Sequence, residues 1–147
     1  MMKEHPTKKL FIAICFLWLQ ATGCAQNPQN WTAKQLMEPS ELSSILKAGK
    51  NVPVVLSVGP GAIIPNSINI GMVKDKANLD ILKARLSTLP KTSRIIVYCG
   101  CCPFEHCPNA RPAIAALKEM KFTNYYLLNL PNNIRKDWIE KGYQVSE

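Results

Sequence analysis

Short apolar runs alternate along the chain with amphipathic stretches, and that alternation predicts the order of elements. Pro39-Ser40-Glu41 opens a helix, because proline fits a first helical turn; Leu42, Ile45 and Leu46 then share one face before Gly49 ends it. Val54-Val55-Leu56 is a continuous apolar run, the pattern of a strand buried on both faces. Gly59-Pro60-Gly61 breaks the chain, and Ile68-Asn69-Ile70 has room only for a brief strand. From Asn78, Leu79, Leu82 and Leu86 mark a second amphipathic helix that Pro90 closes. Ile95-Ile96-Val97-Tyr98 is the strongest strand signal. A loop from Gly100 to Cys107 follows, with Pro108 placed as the first residue of a third helix. Tyr125 to Leu128 reads as another strand, and Ile134 to Lys141 as a last helix before Gly142. Strands alternating with helices of this length predict a single α/β domain, with a mostly parallel sheet flanked by helices on both faces.

The N-terminus follows a different logic. Lys3, Lys8 and Lys9 precede an unbroken apolar stretch from Leu10 to Leu19, and a small-residue segment, Ala21-Thr22-Gly23-Cys24, comes after it. A basic head, an apolar run and a small-residue site make residues 1–23 a signal peptide, too short in its apolar part to span a bilayer as an ordinary anchor. Ala21 to Cys24 is similar to a bacterial lipobox, which implies lipidation of Cys24 as the first mature residue. Cleavage after Ala25 is the alternative, and either route exports the chain. Residues 24–38 read as a tether, polar from Ala25 to Trp31, and an entry segment, which leaves 39–147 for the folded domain.

Composition narrows the function classes. At 147 residues, 47% hydrophobic and 19% charged, the chain can bury one core and is neither disordered nor low-complexity. The net charge is +8, and from Cys24 onward 15 basic and 9 acidic residues leave +6. This surplus is scattered, with no basic stripe interleaved with aromatics, so no nucleic-acid partner is expected. It suits anionic substrates or lipid headgroups.

The chemistry is concentrated in one loop. Four of the six cysteines fall within Cys99-Gly100-Cys101-Cys102-Pro103-Phe104-Glu105-His106-Cys107. This loop leaves the carboxyl end of a buried strand, where α/β sheets bind their ligands. Loop amides and a helix N-terminus there favour an anion, and so convert a thiol towards thiolate. Cys99 is then a nucleophile, or else a small buried strand-end residue. Cys107 is a helix N-cap thiolate that resolves a loop disulfide, or a structural disulfide partner. Cys101 and Cys102 are adjacent, and a strained vicinal bridge makes pairing with Cys99 or Cys107 the better alternative; all three connectivities stay open. His106 is a general base, a metal ligand or a solvated loop residue. Arg111 neutralises a bound anion or lies on an exposed helical turn. Trp138 reads as core. As a competing class, Cys99, Cys101, Cys102, Cys107 and His106 offer soft ligands for Zn²⁺ or Cu⁺, though without the paired C-x-x-C spacing of structural zinc sites.

These residues also carry a family resemblance. Arg94 to Cys99, Ala113 to Leu117, Phe122 to Tyr126 and Leu128 resemble the second half of a rhodanese-like domain, in which a strand ends in Tyr-Cys and the cysteine carries a persulfide. Asp137 to Val145 is similar to that family's closing Ala-Trp…Gly-x-Pro-Val element, and Ile64-Pro65-Asn66-Ser67-Ile68-Asn69-Ile70 to its Ile-Pro-Gly-Ala-Ile-Asn-Ile. The resemblance implies a sulfurtransferase or thiol-redox protein that needs no cofactor, with a catalytically silent rhodanese-like module stapled by disulfides as the alternative. Its partners would be a small sulfur-donor anion or a protein thiol or persulfide, with the lipid anchor on a bacterial membrane facing the periplasm or cell exterior. Departures accompany the matches. Val55-Leu56-Ser57-Val58-Gly59 replaces an apolar run ending in Asp-x-Arg, and the Glu-Tyr-x-x-Gly-His stretch is absent. The loop is longer than in the family; Asn109 stands in the register of its closing arginine, and Arg111 follows two residues later.

Overall fold

A computed structural model describes residues 31–147, so the segment expected to be a signal peptide and Cys24 lie outside the described residues. Five strands form one all-parallel sheet: β1 (Leu36–Met37), β2 (Val54–Ser57), β3 (Ile68–Asn69), β4 (Ile95–Tyr98) and β5 (Tyr125–Leu128), in the order β1-β5-β4-β2-β3. Three helices connect them: α1 (Pro39–Ala48), α2 (Lys76–Ser87) and α3 (Ala110–Glu119). The chain is thus the single α/β domain that the alternating pattern predicts.

The centre of the sheet is β4, paired with β2 through Leu56↔Val97 and Ser57↔Tyr98 and with β5 through Ile96↔Tyr126. Because strand side chains alternate, its residues divide between two cores. Ile95, Val97 and Cys99 pack with Leu82 and Leu86 of α2 and with Ala113 and Leu117 of α3. Ile96 and Tyr98 face Leu42 of α1 and Trp138 on the other side. Each fully buried leucine or isoleucine contributes about 1.5–3 kcal/mol, so β4 is held from both faces. That fixes the residue following it, Cys99.

Several boundaries differ from those the sequence suggests, each for a local reason. Leu36–Met37, in the entry segment ahead of the expected domain, forms the edge strand β1 against Leu127 and Leu128, so the sheet begins before residue 39. The second helix opens at Lys76 rather than Asn78, behind Asp75 as its cap. The third begins at Ala110 rather than Pro108. Phe104–His106 forms a 3₁₀ turn that Cys107 closes by donating its N–H to the Phe104 carbonyl at 3.3 Å, and Asn109 is the cap. Cys107 is therefore not the helix N-cap. The last helical segment is a π-turn over Arg135–Ile139, with Glu140 N–H donating to the Arg135 carbonyl at 2.8 Å. Trp138 is fully buried, as expected, and donates its indole N–H to the Gln144 carbonyl at 2.7 Å. Among the described residues no helix is long and apolar enough to cross a membrane.

Candidate functional site

Three segments converge beyond the carboxyl end of β4. The loop after β2 is held by Tyr98, whose buried hydroxyl accepts the N–H groups of Ile63 (3.0 Å) and Ile64 (3.3 Å) and lies 3.0 Å from the Ser67 hydroxyl. The cysteine loop is tied to the segment after β5: Phe104 N–H donates to the Leu130 carbonyl and Ile134 N–H to the Gly100 carbonyl, at 3.2 and 3.0 Å. The start of α3 is fixed by Asn109, a buried side chain whose Oδ1 accepts the Lys74 N–H at 3.0 Å. An amide buried this deeply has to be hydrogen-bonded on both sides. Its Nδ2 points at Cys99, 3.6 Å from the sulfur.

Cys99 sits at the centre of a row of sulfurs. It is 3% exposed, and the Cys101 sulfur lies 3.4 Å away; Cys102 follows at 3.3 Å from Cys101. Cys107, 1% exposed, borders Cys99 from the helix side. Cys101 is exposed and Cys102 half-buried, so the row leads from the core to the surface. Gly59 closes the opposite side, with so little space that a Cβ there would stand 2.6 Å from the Cys99 sulfur.

Hydrogen bonding favours the thiolate at Cys99 over its neighbours Cys101 and Cys107. Cys99 is lowered to about 5: the neighbouring Cys107 thiol favours its thiolate most, and the backbone N–H and thiol of Cys101 and the Asn109 amide add to this against the opposing effect of burial. The donors are correspondingly held protonated. Cys101 is raised to about 12 by the partial burial of its sulfur and by its Cys102 and Cys99 neighbours. Cys107 is pushed far up, first by donating to Cys99 and then by burial, although the N–H groups of Asn109 and Ala110 face its sulfur. At neutral pH the arrangement favours a thiolate at Cys99, with donors from Cys107, Cys101 and Asn109 around it.

Of the residues singled out in the sequence, the fold brings together Cys99, Cys101, Cys102 and Cys107. The sulfurs of Cys99, Cys101 and Cys102 all lie within 4.8 Å of one another, a spacing that a soft cation could bridge. His106 is exposed at the end of the 3₁₀ turn and is not among those ligand atoms. Arg111 turns away: its guanidinium donates to the Glu105 carbonyl at 3.1 Å and stacks 5.9 Å from the Trp31 ring centre. There it lines a separate depression of about 340 Å³ with Lys118 and Tyr125, which no cysteine borders. Asn109 is the residue that sequence reasoning left without a role. Its signal was its register, one helical position at which the resembled family places its arginine.

No family model and no curated protein matches the chain. Among solved structures, the Alr3790 protein from Anabaena sp. is similar, with a TM-score of 0.55 at 18% identity over 75% of this chain and 90% of that one. The two share a fold.

Proposed function

We propose that the chain is an exported, lipid-anchored rhodanese-like protein that moves sulfane sulfur or redox equivalents through Cys99. The observation that carries this reading is the buried Cys99 sulfur at the end of the central strand, with the Asn109 amide and two neighbouring thiols directed at it. The thiolate attacks the sulfane atom of a small donor anion or a protein persulfide. A Cys99–S–S⁻ group forms, and the rest of the donor leaves with its electron pair. Amide and thiol donors then stabilise the charge on the loaded group, and an acceptor nucleophile removes the outer sulfur and returns Cys99 as thiolate. The local backbone supports the resemblance too. Asn66 adopts φ 60° where the Ile-Pro-Gly-Ala element has glycine, and asparagine is among the few residues that tolerate that region.

The test is sulfur transfer from thiosulfate, or from a low-molecular persulfide, to cyanide or a thiol. Cys99→Ser removes it. Near-normal transfer by Cys99→Ser, with loss in Cys102→Ser or Cys107→Ser, would move the nucleophile into the loop.

A second reading rests on the close triad of Cys99, Cys101 and Cys102. Three thiolates at this spacing suit Cu⁺, or Zn²⁺ with a fourth ligand. Metal analysis of protein purified reduced and without chelator separates the two readings. About one metal per chain, lost in Cys102→Ser, would favour the metal site over sulfur transfer.

A further inference from the structure

The Cys99 thiolate is buried, yet the sulfur it carries has to leave, and the row of thiols supplies two candidates for discharging it. Cys107 is 1% exposed and faced by the first amides of α3. A bridge between Cys99 and Cys107 would enclose both sulfurs, 3% and 1% exposed, where no external reductant reaches them. Cys101 differs on each count. It is exposed, it lies at the outer part of the loop rather than against the first amides of α3, and its sulfur stands 3.4 Å from that of Cys99. Closing that separation to a disulfide of about 2.05 Å needs a movement of only about 1.4 Å.

We propose that Cys101 is the thiol that discharges Cys99, expelling the carried sulfur as hydrosulfide and leaving a Cys99–Cys101 disulfide that an external dithiol reopens. This rests on the sulfur-carrying reading of Cys99. In the step, the Cys101 sulfur attacks the Cys99 sulfur. The bond from Cys99 to the outer sulfur breaks, the Cys99–Cys101 bond forms, and the Cys101 proton leaves with the hydrosulfide. The outer sulfur departs reduced, and the two cysteines hold the oxidising equivalent. A dithiol, protein-borne or small, then attacks the Cys101 sulfur, the exposed one of the bridged pair, and expels the buried Cys99 as thiolate. The dithiol ends as a disulfide, and both cysteines return reduced. The partner implied is thus a reducing dithiol that meets the protein at Cys101.

The experiment is a single turnover without acceptor. Reduced wild type and Cys101→Ser are each given one equivalent of a low-molecular persulfide, and hydrosulfide, intact mass and disulfide position are followed. Cys101 is exposed, so the serine variant should fold; its circular dichroism checks this. Wild type should release about one hydrosulfide per chain, lose two hydrogens and yield a Cys99–Cys101 peptide pair. Cys101→Ser should keep the extra sulfur on Cys99 and release hydrosulfide at least roughly ten-fold more slowly. Wild type that holds its sulfur, a bridge mapped to Cys107, or fast release by Cys101→Ser overturns the proposal while leaving sulfur loading intact. If neither protein ever gains sulfur or a disulfide, both the proposal and the reading beneath it fall.

Discussion

Alanine at Gly59 sets a methyl group against the proposed nucleophile, and the structure lets the consequence be worked through. The added Cβ would lie 2.6 Å from the Cys99 sulfur, 3.4 Å from its Cα and 3.5 Å from its Cβ. Ordinary non-bonded contact begins at about 3.5 Å, so something has to yield by about 1 Å. The backbone of Gly59 is not in the left-handed region, so alanine costs nothing there in torsion. Neither chain segment moves readily: Val58 N–H donates to the Tyr98 carbonyl at 2.9 Å, and β4 is clamped between two cores. The displacement therefore falls on the sulfur, and a shift of that size disrupts its 3.4 Å contact with Cys101 and its 3.6 Å contact with Asn109. Overpacking of this kind costs about 1–3 kcal/mol of stability. Misplacing a reacting atom by about 1 Å lowers its rate on the order of a hundred-fold. Thermal melting reads the first effect, and the rate of sulfur loading from a persulfide donor reads the second. Gly59→Ala with wild-type melting and wild-type loading would refute the placement of Cys99 against this loop.

Further predictions follow from the same geometry. Cys99 is lowered to about 5, so the thiolate persists through neutral pH: loading should be flat above roughly pH 6 and fall as pH drops through 5. Thiolate absorbance checks the midpoint, and a rise in loading only at alkaline pH would contradict it. Asn109→Ala removes one donor to the thiolate and should move that midpoint upward. Tyr98→Phe strips the buried acceptor from the Ile63 and Ile64 amides and should lower stability by about 1–3 kcal/mol in denaturant unfolding, with the sheet intact. If Cys24 is acylated, the mature protein partitions with membranes and into a detergent phase, and Cys24→Ser abolishes this; a wild-type protein found wholly soluble and starting at Gln26 would count against the anchor.

What the sequence disclosed and what it hid divide along physical lines. Long periodic signals were legible. The apolar run at Ile95 to Tyr98 and the capped amphipathic pattern from Pro39 to Gly49 appear as β4 and α1. Leu36–Met37 was hidden because a two-residue edge strand carries no periodicity of its own; it exists only through pairing with β5. The start of α3 was misplaced because Pro108 satisfies a helix-start rule, while the preceding 3₁₀ turn carries the chain two residues further. At the site, cysteine spacing was enough to select the loop, but not to say which thiol points where. Strand alternation at β4 sends Cys99 inward, whereas Arg111, a cation at a plausible register, follows α3 to the Trp31 side. The thiolate is partnered instead by a neutral amide, Asn109, which no charge pattern marks.

The most direct test of the central claim is the intact mass of the purified mature domain after exposure to a persulfide donor, taken before and after reductant and paired with Cys99→Ser. The account predicts that wild type gains the mass of one sulfur, or passes through that species to a product two hydrogens lighter. Reductant should reverse either change, and Cys99→Ser should show neither the gain nor the Cys99-linked bridge. An unchanged mass in wild type, or an added sulfur that persists in Cys99→Ser, would contradict Cys99 as the sulfur carrier.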